Sequence, residues 1–120
     1  ADKMILIVED TETNYHLLDI ILKREKANTI WATNGVQAVE ICKNNKEIDL
    51  VLMDINLPIM DGYEATRLIK ESAPDLPIIA QTAYAMAGER AKSKTFGCDA
   101  YIAKPINPQL LIGIVKELLA

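Results

Sequence analysis

The chain has 120 residues, half of them hydrophobic and a quarter charged, which suits one globular domain and excludes a disordered chain. Its 17 acids outnumber its 13 bases for a net charge of -4, so the chain is a poor binder of nucleic acid or anionic membrane by itself. No apolar run is long enough to cross a bilayer, and the short run Met4 to Val8 meets acids at once, unlike a signal peptide.

Short apolar runs alternate with helical patterns along the whole chain. Met4–Val8 opens as an almost continuously apolar run, as a strand buried on both faces requires. Leu17, Leu18, Ile21 and Leu22 then form a helical stripe. Thr29–Ala32 is the second strand, and Ala38, Val39 and Cys42 the second stripe. Leu50–Met53 is the third strand, again nearly all apolar, followed by the stripe Ala65, Leu68 and Ile69. Ile78–Gln81 is the fourth strand. The helix expected after it, about residues 87 to 95, is mostly small or charged and has little to bury, so low local stability is expected there. Ala100–Ala103 is the fifth strand. Leu111, Ile114, Val115, Leu118 and Leu119 follow the helical spacing most clearly, behind an N-cap at Asn107 and a proline at Pro108.

This alternation predicts an α/β domain, a parallel sheet with helices on both faces, occupying residues 1–120 as one unit. No linker, repeat or low-complexity stretch interrupts it. The start, Ala1-Asp2-Lys3, has no initiator Met and is read as processed or cut from something longer. Cys42 and Cys98 stand far apart and are expected as buried free thiols in a reducing cytosol.

In such folds ligands bind beyond the carboxyl ends of the strands. Glu9 and Asp10 follow the first strand, Asp54 ends the third, Thr82 closes the fourth, and Lys104-Pro105 follow the fifth. The second strand contributes nothing comparable. Three carboxylates in one crevice repel one another and call for a cation. Hard oxygen donors of this kind select Mg²⁺, which binds through one or two carboxylates plus a phosphate. With Lys104 as a further positive charge and Thr82 as a hydrogen-bond donor, the set describes phosphoryl transfer to a carboxylate. Asp54 is the candidate nucleophile, because the segment Ile55-Asn56-Leu57-Pro58 must turn out of the sheet behind it. Each residue also has a plainer reading: Glu9-Asp10 as a helix cap, Thr82 as a strand residue, Lys104 as a surface lysine, Tyr101 as core. Only the constellation lifts them above it.

At these residues the chain resembles the receiver domain of bacterial two-component systems, from Ile5 to Leu119. The matching stretches are Leu6-Ile7-Val8-Glu9-Asp10, the run from Leu52-Met53-Asp54 to Met60-Asp61-Gly62, Gln81-Thr82-Ala83, and Tyr101-Ile102-Ala103-Lys104-Pro105. The resemblance implies a (βα)5 doubly wound, flavodoxin-like fold with strand order 2-1-3-4-5. It implies that Asp54 takes a phosphoryl group from a phosphohistidine. It implies a metal grip by Asp10, Glu9, Asp54 and the backbone carbonyl of Asn56 on Mg²⁺, for which Mn²⁺ can substitute. Lys104 would pair with the phosphoryl oxygens, Thr82 and Tyr101 would act as the switch, and Lys104-Pro105 would be cis. Asn56 and Tyr84 would tune attack by water on the phosphoryl group.

The expected role is therefore a cytoplasmic phosphoacceptor switch that assists its own phosphorylation and dephosphorylation without being an enzyme in the ordinary sense. Its expected partners are a sensor histidine kinase or a histidine phosphotransfer protein, and a downstream protein meeting the fourth helix, fifth strand and last helix. The wording around Asp54 and the Thr-Ala-x-Ala-Met run lean toward hybrid histidine kinase or single-domain receivers. Two alternatives remain in view. An aspartyl-nucleophile phosphatase of the haloacid-dehalogenase type wants an Asp where Asn56 stands. A flavin or nucleotide binder wants a Gly- or Ser/Thr-rich loop where Glu9-Asp10 stand. His16, the sole histidine, is read as a surface residue, and Trp31 as packing.

Overall fold

The computed structural model describes residues 2–83 and 87–120. Five strands and five helices alternate: β1 (Met4–Val8), α1 (Glu12–Lys23), β2 (Asn28–Ala32), α2 (Gly35–Asn44), β3 (Leu50–Asp54), α3 (Gly62–Ser72), β4 (Ile78–Thr82), α4 (Ala87–Thr95), β5 (Ala100–Ala103) and α5 (Pro108–Leu119). The strands form one parallel sheet in the order β2-β1-β3-β4-β5, as the resemblance implied.

Side chains alternate across each strand, so the central strands fill two cores at once. Leu6, Val8, Val51, Met53, Ile78 and Ala80 pack with α2 and α3 residues such as Ala38, Cys42, Ala65 and Ile69. Ile5, Ile7, Leu50, Leu52, Ile79 and Ile102 pack on the other side with Leu18, Ile21 and Leu22 of α1 and Leu111 and Val115 of α5. Edge strand β2 is only partly covered, which explains its weaker apolar pattern. One expected core position is corrected: Leu17 remains exposed, because the stripe that faces the sheet runs through Leu18, Ile21 and Leu22. Asn107 caps α5, its side chain accepting from Leu110 N, with Pro108 in the first turn. Cys42 and Cys98 are both free and buried.

The register decides where the site lies. Val8 stands beside Met53 and Ala32, Asp54 beside Gln81, and Thr82 beside Ala103. The carboxyl ends of β1, β3, β4 and β5 are therefore level, and the residues that follow each strand meet on one edge.

Candidate functional site

Asp54 closes β3 and is almost fully buried. Its Oδ1 accepts a hydrogen bond from Asn56 N at 3.0 Å, and its Oδ2 lies 3.0 Å from Lys104 Nζ. The chain then folds back on itself. Met60 N donates to Pro58 O at 2.8 Å across Ile59, which takes a φ of 70° in the left-handed region that β-branched residues avoid. Gly62 N donates to Ile55 O. A Cβ at Gly62 would stand 2.4 Å from Asp54 O and 2.7 Å from Ile55 Cα, so only glycine lets α3 start this close to the end of β3.

Glu9 is as buried as Asp54 and held at several points. Its N–H donates to Ala32 O at 3.0 Å and its carbonyl accepts from Trp31 Nε1 at 2.7 Å. Asn14 Nδ2 reaches its Oε1 at 3.4 Å. Its Oε2 has no hydrogen-bond partner among the described residues and sits 4.0 Å from Lys104 Nζ. Burial, with the Asp54 charge adding to it, pushes the Glu9 carboxyl up to about 7, against the opposing pull of Lys104 and Asn14. Asp10 is exposed and brings the third carboxylate: one oxygen from each of Glu9, Asp10 and Asp54 lies within 4.8 Å of the others. These donors fit a hard divalent cation. They are all oxygens, they converge, and among the described residues a buried carboxylate oxygen is left without a hydrogen-bond donor.

The remaining expected residues fall as follows. Thr82 is buried at the end of β4, and its carbonyl accepts from Lys104 N at 2.8 Å. Lys104-Pro105 is cis, as the resemblance implied. Tyr101 is half-buried on β5, with the Arg90 guanidinium 5.6 Å from its ring centroid. Burial and the nearby Glu89 charge raise its phenol above the ordinary range, while Arg90 opposes them. Asn56 is exposed, and Tyr84 lies outside the described residues. His16 is at the surface, 3.4 Å from Glu12.

Three contributors to the site were not evident in the sequence. β2 does contribute, through the Trp31 indole. Asn14 reaches Glu9 from the first turns of α1. Gln81, buried beside Asp54 in register, lines with Glu9, Asn14 and Lys104 a cavity of about 150 Å³. A polar residue inside an apolar strand was the available signal for Gln81. Nothing in the spacing marked Trp31.

A five-stranded parallel sheet in this order, with acids and a lysine at the strand ends, defines a receiver-type α/β domain. Residues 5–116 match the family model described as response regulator receiver domain, and the chain belongs to that family. It is 37% identical over 119 residues to the polar-differentiation response regulator DivK of Brucella anthropi, covering 98% of this chain and 96% of that one. Among solved structures it is similar to a CheY-like response regulator receiver domain protein from Methanospirillum hungatei JF-1, with a TM-score of 0.92 and 33% identity over 99% of this chain and 94% of that one. It is also similar to the receiver domain of the sensor histidine kinase PA1611 from Pseudomonas aeruginosa PAO1, at TM-score 0.90 and 35% identity, covering 99% and 98% of the two chains. That structure carries a magnesium ion coordinated in its active-site cleft. No helix among the described residues is long and apolar enough to cross a membrane.

Proposed function

We propose that Asp54 is the phosphoacceptor of a two-component phosphorelay and that residues 1–120 act as one receiver domain. The observation that carries this reading is the placement of Lys104 Nζ 3.0 Å from the Asp54 carboxylate, inside a cluster of three acids that fits a divalent cation. A carboxylate oxygen of Asp54 attacks the phosphorus of a phosphohistidine. The P–N bond breaks, its electron pair stays on the imidazole nitrogen, and the phosphoryl group ends on Asp54 as an acyl phosphate. Lys104 meets the charge that grows on the phosphoryl oxygens, and the Thr82 hydroxyl hydrogen-bonds one of them. Glu9, Asp10, Asp54 and the Asn56 carbonyl would hold Mg²⁺, with Mn²⁺ as a substitute. The bound cation supplies neutralisation of the equatorial oxygens.

Burial of Asp54 keeps bulk water from the reacting oxygen and strengthens each of these interactions. Phosphorylation then biases Thr82 and Tyr101 and alters the surface made by α4, β5 and α5, where a downstream protein would bind. The donor would be a sensor histidine kinase or a histidine phosphotransfer protein in the cytoplasm. Both a single-domain regulator and a receiver within a hybrid kinase suit the chain. Asn56 and Tyr84 would set how fast water removes the phosphoryl group. The phosphatase alternative lacks an acid at position 56, where Asn56 stands.

Intact mass after incubation with a small acyl phosphate and Mg²⁺ tests the reading. One phosphoryl adduct is expected on the wild type, absent from Asp54→Asn and lost in chelator. An adduct on both proteins would move the acceptor away from Asp54.

A further inference from the structure

We propose that Trp31 is a positioning residue for the metal-binding acids, acting through the Glu9–Asp10 peptide; the inference rests on the site reading above. The indole N–H donates to Glu9 O at 2.7 Å, and this is a side-chain bond from an edge strand to the turn that carries two of the three carboxylates. The turn has little else of this kind. Thr11 is the N-cap of α1, yet its side chain makes no capping bond, and Asp10 is exposed. The carbonyl of Glu9 therefore depends on the indole, while its N–H is fixed by Ala32 O.

The indole is itself held. It stacks on Tyr15 of α1, with ring centroids 4.7 Å apart and planes 8° from parallel. Tyr15 in turn shares a 2.8 Å hydrogen bond with Thr29, whose hydroxyl donates to Asp19 at 2.6 Å. Two rigid rings and a hydroxyl relay thus run from the outer edge of the sheet to the acids. With Glu9 tied at N–H, carbonyl and Oε1, its Oε2 is left without a hydrogen bond among the described residues. A preset carboxylate loses less freedom when it binds a cation, which is how supporting contacts tune metal sites.

The test removes the N–H and keeps the rings. In one variant Trp31→Phe leaves an aromatic on Tyr15. In a second, Trp31 is replaced by benzothienylalanine, in which sulfur stands where the N–H was. In a third it is replaced by 5-fluorotryptophan, which keeps the donor. Mg²⁺ affinity is read by titration calorimetry and the unfolding midpoint is read in chelator. Loss of affinity on the order of tenfold is expected for the first two, with 5-fluorotryptophan within twofold of wild type. The benzothienyl protein is expected to unfold in chelator close to the wild type. Affinities within twofold for all three variants would overturn the role of the indole while leaving the Mg²⁺ site in place. A wild type that takes no Mg²⁺ would overturn the site reading and this inference with it.

Discussion

Helices α3 and α4 are neighbours, yet they are held to the domain by different physics. α3 starts at a capped turn, with Asp61 accepting from Glu64 N, and buries Tyr63, Ala65, Thr66 and Ile69. α4 has no comparable apolar stripe. The Tyr63 hydroxyl donates to the Glu89 carboxylate, Lys92 Nζ lies 4.8 Å from the Tyr63 ring centroid, and Arg90 lies over Tyr101. Its buried Ser93 hydroxyl turns back to the carbonyls of Glu89 and Arg90 in its own helix. Apolar burial cannot be exchanged for contact with water without loss. A hydrogen bond or cation–π contact nets only about 0.5–1.5 kcal/mol and finds substitutes in solvent. The helix placed by polar contacts is the one that can be repositioned cheaply, which suits the face proposed to change on phosphorylation.

The comparison breaks or holds first on Ile69→Ala. Removing this fully buried side chain of α3 should cost about 2–5 kcal/mol in urea denaturation, whereas Glu89→Ala in α4 should cost under about 2 kcal/mol. Equal losses would mean that α4 is as firmly anchored as α3. Next, the same glycine substitution should act with opposite sign in the two helices. Gly62→Ala forces a Cβ against backbone of Asp54 and Ile55 and should destabilise by about 1–3 kcal/mol, displacing Asp54 as well. Gly88→Ala meets nothing within 4 Å among the described residues at the start of α4 and should stabilise by about 0.4–1 kcal/mol. A milder cut is Tyr63→Phe, which deletes the bond to Glu89 and keeps the ring contact with Phe96. It should lower stability by about 1.5 kcal/mol, the low end for a bond to a charged acceptor, because Glu89 is partly exposed. Amide exchange should quicken in α4 and stay unchanged in α3.

The same contrast explains what the sequence made legible. Nearly continuous apolar runs placed β1 and β3, because strands covered on both faces admit little else. The residues at the ends of β1, β3, β4 and β5 then located Glu9, Asp10, Asp54, Thr82 and Lys104 at one edge. The contacts that hold α4 and brace Glu9 were illegible for a physical reason. Tyr63 and Glu89 are 26 residues apart, and Trp31 and Glu9 are 22 apart. Such polar pairs follow no period, so only the folded register brings them together. Leu17 shows the converse limit: four apolar residues in a row of helical spacing do not say which one faces out.

The smallest predicted effect uses the two thiols as clocks for the two regions. Cys42 lies in the α2 stripe against α3, and Cys98 follows α4 directly, near Thr66. Burial raises both to about 11 from an ordinary value near 9. Only the thiolate is alkylated, so the native chain should react faster with rising pH up to about 11, while an unfolded chain levels off near 9. Burial shifts both thiols in the same direction, so their relative rate is read as local opening. Cys98 should be labelled before Cys42 at every pH, as read by mass after trypsin. Equal rates would show that the α4 end opens no more readily than α2. The linked stability change has a fixed sign. The unfolded chain ionises first, so the contribution of the buried thiols is complete below about pH 9 and is lost as pH rises toward 11. A Cys42→Ala, Cys98→Ala protein should lack that part of the alkaline decline, and an unchanged decline would mean that other groups govern it.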